Sequence, residues 1–317
     1  MHKIVIVDGY TTSSADLSWD VLNQYGSVVS YARTPKEKLI ERVIDADIII
    51  SNKCIFDAEV LRALPNLKYI GLTSTGYNVV DCDVAKELGV VVTNVPAYST
   101  ESVVQLVFGL IIEMYTKVGI HNDRVKSGEW ANCIDFCFYD KISELSGKTM
   151  GIIGYGVIGK RVAVVAKAFG MRVVVYNKGR VTDDGTEYVL DVNDLYPMCD
   201  IISLNCPQNA ASTNMINSSA LSKIKKGAII INTARGGLVN EADVASALVS
   251  GQLGGFCCDV LSTEPPKADN PLLSAPNTII TPHIAWATKE ARSRLIGVVE
   301  DNLKCFLNNV KQNIVNL

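Results

Sequence analysis

The sequence predicts an α/β chain built from two successive doubly wound parallel sheets with a cleft between them. Three observations carry that expectation. Short apolar runs recur along the 317 residues without polar alternation, as in strands covered by helices on both faces. Stretches with helical spacing of apolar residues separate these runs. A glycine turn, Gly154 to Gly159, stands between a strand pattern and a helix pattern. It falls only after about 150 residues, a full domain's length, so another domain precedes it.

In the first hundred residues, 4–7, 47–51, 69–74 and 90–95 read as strands. Residues 17–25, 35–45, 58–63 and 83–88 fit the intervening helices. The segment Pro96-Ala97-Tyr98-Ser99-Thr100 breaks the pattern, and Ser99 or Thr100 can cap a helix over 101–118. That helix is apolar nearly all round, as expected of one buried between domains or subunits. Residues 121–146 read as irregular and aromatic, with Trp130, Phe136, Phe138 and Tyr139; they are either a dimer contact or a loop packed on its own domain. A second series of strands follows at 149–153, 172–176, 201–204, 228–232, 255–259 and 278–281. A last helix over 289–306 carries Leu295, Val298, Val299, Leu303 and Phe306 and is expected to return to the first domain. The predicted division is 1–99 plus 289–317 as a discontinuous, flavodoxin-like domain, and 100–288 as a dinucleotide-binding domain.

Composition narrows the classes of function. With 48% hydrophobic and 20% charged residues, the chain suits a soluble protein of about two domains. A net charge of -3, with no long run of one sign, argues against nucleic acid as a partner. No segment reaches the ~18 apolar residues of a membrane span. The start, Met1 to Asp8, is a short apolar strand ending in an acid, without the features of a signal peptide. A cytoplasmic location is expected. The nine cysteines are scattered, with no C-x-x-C, and only His2, His121 and His283 could join them, so no metal site is expected. The thiols read as reduced small hydrophobes.

The glycine turn carries the first chemical signal. In Gly154-Tyr155-Gly156-Val157-Ile158-Gly159, Gly154 allows the turn and Gly156 admits a phosphate close to the backbone. Gly159 lets the following helix, 160–169, approach the strand, and the helix N-terminus offers N–H groups to a pyrophosphate. This is a Rossmann-like dinucleotide site. The next strand ends in Asn177-Lys178-Gly179-Arg180, where an acid normally holds the adenosine ribose. Asn177 can bond a ribose hydroxyl without repelling a 2′-phosphate. Lys178 and Arg180 either neutralise that phosphate or are solvated loop charges. NAD or NADP is the expected cofactor.

Three later segments end strands, at the sheet edge where ligands bind. They are Asn232-Thr233-Ala234-Arg235-Gly236-Gly237, Thr263-Glu264-Pro265-Pro266 and Pro282-His283-Ile284-Ala285-Trp286. Arg235, Glu264 and His283 are therefore expected to meet. A guanidinium fork matches a carboxylate or 2-keto acid, and an imidazole paired with a carboxylate is an oriented proton donor.

With these motifs in this order, nearly the whole chain resembles the NAD(P)-dependent D-2-hydroxyacid dehydrogenase family. Asp8-Gly9-Tyr10, Leu17-Ser18-Trp19-Asp20, the segment Thr75 to Asp81 and the segment His283 to Thr288 are most similar to its glycerate dehydrogenase (hydroxypyruvate reductase) branch. The resemblance implies that Arg235, Glu264 and His283 are the catalytic trio, and that Ser74, Thr75 and Gly76 present N–H groups to the substrate carboxylate. It places Cys206, Pro207, Thr233, Ala234 and Asp259 beside the cofactor, with Asp259 accepting from the nicotinamide amide. The implied reaction reduces a small 2-keto acid to a D-2-hydroxy acid in a homodimer. Hydroxypyruvate, glyoxylate or a D-lactate-type substrate all fit. The same fold also serves as an NAD-sensing corepressor; the near absence of tails on either end favours the enzyme.

Overall fold

A computed structural model describes residues 1–13, 16–178, 180 and 185–317. Gly179, part of the loop expected at the adenosine ribose, lies outside the described residues. The chain divides into two units, Met1–Ser99 with Trp286–Leu317, and Thr100–Ala285.

The strands of the first unit are β1 (His2–Ile6), β2 (Gly26–Ser30), β3 (Ile48–Ser51), β4 (Tyr69–Leu72) and β5 (Val91–Thr93). The second unit holds β6 (Thr149–Ile153), β7 (Arg172–Tyr176), β8 (Glu187–Val189), β9 (Ile201–Leu204), β10 (Ala228–Asn232), β11 (Leu253–Cys258) and β12 (Thr278–Ile280). Helices run in the order α1 (Leu39–Val43), α2 (Ala58–Arg62), α3 (Cys82–Glu87), α4 (Thr100–Thr116), α5 (Val118–Lys126), α6 (Val157–Ala168), α7 (Val192–Leu195), α8 (Ser218–Lys223), α9 (Glu241–Val249) and α10 (Lys289–Leu307).

Both sheets are parallel, as the continuous apolar runs predict. The first has the order β2-β1-β3-β4-β5 and the second β12-β11-β10-β9-β6-β7-β8. In the second sheet the chain reverses direction between β6 and β9, the switch point where doubly wound sheets bind nucleotides. The central strands β3, β4, β6, β9 and β10 are buried throughout. The edge strands β2 and β8 are partly exposed and lack an unbroken apolar run, so periodicity did not single them out.

Some expected elements differ. Residues 17–25 form a 3-10 segment, Asp20–Gln24, not an α-helix; only Leu22 within it needs cover, and it is buried. Residues 35–45 split into a 3-10 turn, Lys36–Lys38, and the short α1. The helix expected over 101–118 ends at Thr116, because Lys117 takes the left-handed conformation at φ 52°. The chain then starts α5 at Val118, at 56° to α4, and runs on to Lys126 inside the stretch read as irregular. Among the described residues no single helix is long and apolar enough to cross a membrane.

α10 packs on the first sheet. Its Leu295, Val299 and Leu303 follow at i, i+4, i+8 and join Ile4, Ile6, Ile48, Ile50 and Tyr69 in one core. Each such buried side chain contributes roughly 1.5–3 kcal/mol. The chain beyond it adds an antiparallel bridge to β5 at Ile314, with Val315 N–H donating to the Val92 carbonyl at 2.9 Å.

The exits of β1 and β3 are tied by a buried acid. Asp8, 4% exposed, accepts from the N–H groups of Asn52 (3.0 Å), Lys53 (2.6 Å) and Cys54 (3.3 Å) and from the Ser51 hydroxyl (3.3 Å). Asn52 in turn donates to the Thr73 carbonyl at 2.7 Å, joining the loops after β3 and β4. Asp8→Ala would leave the buried Asn52 N–H and the partly buried N–H groups of Lys53 and Cys54 without an acceptor. It should cost about 3 kcal/mol of unfolding free energy. Denaturant titration checks this; an unchanged midpoint would mean that the loop does not depend on the carboxylate.

Candidate active site

The glycine turn takes its shape from two close approaches and one open face. Gly154 has φ 93°, and a Cβ there would lie 2.7 Å from the backbone between Asn205 and Cys206. A Cβ on Gly159 would lie 2.1 Å from the Gly154 carbonyl oxygen. Gly156, which begins α6, has nothing within 4 Å of a Cβ position, so its face is open. The turn of β6 thus presses against the exit of β9, where Asn205 N–H donates to the Ile153 carbonyl at 2.7 Å.

A cavity of about 680 Å³ opens beside this turn. Gly154, Tyr155, Gly156, Asn177, Lys178, Cys206 and Pro207 line it. Its size lies within the range of small-molecule sites. The open Gly156 face, the N-terminus of the 12-residue α6 and the absence of acids from the described lining fit a dinucleotide phosphate. Val157 and Ile158 do not line the cavity. Val157 is 62% exposed and Ile158 packs on the core under α6, so only their backbone could serve a phosphate.

Asn177 has a second task. Its side-chain carbonyl accepts from Tyr155 N–H at 3.1 Å, which leaves its amide NH₂ as the group to offer a ligand. Arg180 shares the wall, with two groups that sequence reasoning missed: Asn193 and Lys223, joined at 2.8 Å. Lys223 ends a short polar helix and carries no motif, so only the packing of α8 beside α7 brings it here. Burial pushes the Cys206 thiol up, which keeps it neutral and unreactive. The Tyr196 phenol in the same wall is pushed by burial up to about 12.

The second cluster stands at the exits of β10, β11 and β12. Buried Asn232 shapes the first loop: its Oδ1 accepts from Ala234 N–H at 3.1 Å and its Nδ2 donates to the Arg235 carbonyl at 2.9 Å. Gly236 then lies against Leu261 and Ser262, where a Cβ would come within 1.9 Å of backbone. This contact seats the Arg235 loop on the Glu264 loop. Glu264 Oε1 accepts from Leu261 N–H at 3.1 Å, and its Oε2 meets His283 Nδ1 at 2.6 Å. Each of the two side chains is 35% exposed.

His283 sits in the left-handed region at φ 55°. Asp259, 1% exposed, holds it there. The Asp259 carboxylate accepts from the Thr281 hydroxyl (2.6 Å), Ile284 N–H (2.8 Å) and Ala285 N–H (2.8 Å), and its carbonyl accepts from His283 N–H (2.9 Å). The residue expected to receive the nicotinamide amide therefore also fixes the loop that carries the histidine.

The structure brings Glu264 and His283 into direct contact. Arg235 is on the adjoining loop, exposed, and its Nη1 donates to the Ala234 carbonyl at 2.7 Å. Thr233 and Ala234 lie half-buried at the exit of β10 and, like Arg235, Asp259 and His283, outside the 680 Å³ cavity.

In the first unit, the turn after β4 has the character of an anion nest. Its carbonyls are engaged: Ser74 accepts from Val95 N–H (3.0 Å), Thr75 from Asn94 Nδ2 (2.8 Å) and Gly76 from the Ser74 hydroxyl (2.6 Å). Among the described hydrogen bonds, the N–H groups of Ser74, Thr75 and Gly76 donate to no acceptor.

Comparison with known proteins agrees with this chemistry. The family profile described as D-isomer specific 2-hydroxyacid dehydrogenase, NAD binding domain, matches residues 108–285. The chain is 43% identical over 321 residues to a hydroxypyruvate reductase of Blautia hydrogenotrophica, covering 99% of each. It is 37% identical to a glycerate dehydrogenase of Methylorubrum extorquens, over 99% of this chain and 98% of the relative. An NADPH-dependent glyoxylate/hydroxypyruvate reductase from Sinorhizobium meliloti, solved with citrate, superposes with a TM-score of 0.87 at 25% identity, covering 99% of this chain and 98% of that one. A dinucleotide turn at the switch point and a carboxylate-held histidine at the same sheet edge are thus found in a chain that belongs to the D-isomer specific 2-hydroxyacid dehydrogenase family, enzymes dependent on NAD(P).

Proposed function

We propose that this enzyme reduces hydroxypyruvate to D-glycerate, with glyoxylate as a second substrate. The observation that carries this reading is the 2.6 Å bond between Glu264 and His283. It gives the site an oriented proton donor rather than a binding surface alone. The chemistry that a bound reduced nicotinamide supplies is a hydride for the C2 carbonyl carbon. The protein's part is the proton and the grip. His283, as the imidazolium, gives a proton to the carbonyl oxygen as that oxygen gains charge. Glu264 holds the ring by Nδ1, so Nε2 faces the substrate and carries the transferred proton. Arg235 leaves the Ala234 carbonyl to take the substrate carboxylate and polarise the ketone. On the first unit, the N–H groups of Ser74, Thr75 and Gly76 suit a carboxylate. Relatives named hydroxypyruvate reductase and glycerate dehydrogenase support the choice of substrate.

Lys178, Arg180 and Lys223 suit a 2′-phosphate, and the Asn177 amide offers it a donor. We therefore propose NADPH as the preferred cofactor. The location is the cytoplasm, in keeping with nine free cysteines. The assembly is a homodimer through residues 118–142, where Ile134 (102%), Phe136 (88%) and Tyr139 (80%) are exposed.

His283→Ala should lower turnover by roughly a hundredfold or more while NADPH affinity changes by less than about twofold. In a panel of 2-keto acids, hydroxypyruvate should give the highest kcat/KM; a higher value for pyruvate would assign a D-lactate-type substrate instead. Lys223→Ala should weaken NADPH binding about tenfold and leave NADH unchanged, measured by titrating nucleotide fluorescence. Equal loss for both nucleotides would remove Lys223 from the phosphate. Phe136→Ser should convert a particle of twice the chain mass to one of single mass by light scattering.

A further inference from the structure

The Glu264–His283 pair stands on a segment gripped from both sides. The consecutive N–H groups of Leu261 and Ser262 reach two different carboxylates. Leu261 N–H donates to Glu264 at 3.1 Å, and Ser262 N–H donates to Glu241 at 2.7 Å. Glu241 opens α9, six residues beyond Arg235, and its other oxygen accepts from the Ser262 hydroxyl (2.9 Å) and from Asn270 Nδ2 (2.9 Å). On the same stretch of chain, Gly236 presses against the Leu261 and Ser262 backbone with no room for a Cβ. The loop bearing Glu264 is therefore hydrogen-bonded and packed against the loop that leads from Arg235 into α9.

The charged groups around this junction are Glu241, Glu264, Asp259, His283 and Arg235. Cys258, at the end of β11, feels three of them: burial first, then Glu241, Asp259 and Glu264, push its thiol up to about 12. That makes the setting one of clustered carboxylates, in which the direction of each oxygen matters.

We propose that Glu241 is a positioning residue for the reaction: by holding the Ser262 peptide and hydroxyl, it orients Leu261 N–H and so fixes the Glu264 carboxylate against His283. The inference rests on the reading of His283 as proton donor. A glutamate in the first turn of a helix also interacts favourably with the helix dipole, a purely structural role that would act on stability alone. The two roles separate experimentally.

The test compares Glu241→Ala, Glu241→Gln, Glu264→Gln and the double variant Glu241→Ala/Glu264→Gln. It follows the pH dependence of kcat for hydroxypyruvate reduction, with thermal unfolding and NADPH affinity measured alongside. Loss of the Glu264 carboxylate should lower kcat and move its pH profile, because the ring loses the partner that orients it. Glu241→Ala should reproduce part of that movement and lower kcat about tenfold, with KM and NADPH affinity changed by less than about twofold. Glu241→Gln, which keeps an acceptor for Ser262 N–H, should recover much of the loss, and it carries the test if the alanine variant does not fold. In the Glu264→Gln background, removal of Glu241 should add nothing to the pH movement. Lower thermal stability with a wild-type pH profile in both Glu241 variants would overturn the positioning role. So would an effect of Glu241→Ala that persists undiminished in the double variant. If Glu264→Gln itself leaves the profile unmoved, the proton-donor reading falls, and the inference with it.

Discussion

Where a parallel strand leaves its sheet, its neighbours' N–H groups lose their ladder partners, and buried side chains must replace them. This constraint governs both units. In the first, Asp8 at the end of β1 gathers N–H groups from the exit of the adjacent β3. In the second, Asp259 at the end of β11 gathers those at the exit of the adjacent β12. Both acids are nearly inaccessible, and burying a charge is costly unless donors surround it. With donors in place, the buried carboxylate becomes the rigid point from which a functional loop hangs.

For His283 the consequence is direct. A non-glycine residue at φ 55° is uncommon, and the Asp259 network over-determines it. The backbone shape turns the ring toward Glu264, so one buried acid controls the backbone and a half-exposed one controls the ring. Asn232 does the corresponding work for the Arg235 loop with an uncharged amide, bonded once as acceptor and once as donor. The second unit thus places two loops of different sequence at one sheet edge by local bonds to buried polar groups.

The nucleotide turn follows another logic, that of contact without side chains. Gly154, Gly159 and Gly236 stand where backbone meets backbone closer than any Cβ allows. Gly154 and Gly159 bring strand, turn and helix together at the switch point, and Gly236 brings two chemically loaded loops together. Polar clamps and glycine contacts meet at Leu261 and Ser262, touched by Gly236 and bonded by Glu241 and Glu264.

Much of this was legible in residue order alone. Continuous apolar runs announced parallel sheets because such strands are covered on both faces, and the glycine spacing announced a dinucleotide turn because only glycine permits those approaches. Arg235, Glu264 and His283 were legible as chemistry at strand ends. The edge strands β2 and β8 were not, since half-exposed strands carry no unbroken apolar signature. Nor were the positions of Lys223, Asn193 and Glu241, which only the packing of α7, α8 and α9 against their neighbours sets. Asp259 was legible as a family position but not as an anchor. The chain order determined which residue types reach the sheet edge, because strand period and glycine sterics are local; tertiary structure decided which of them touch, because hydrogen bonds between loops 20 or so residues apart depend on how the intervening helices pack.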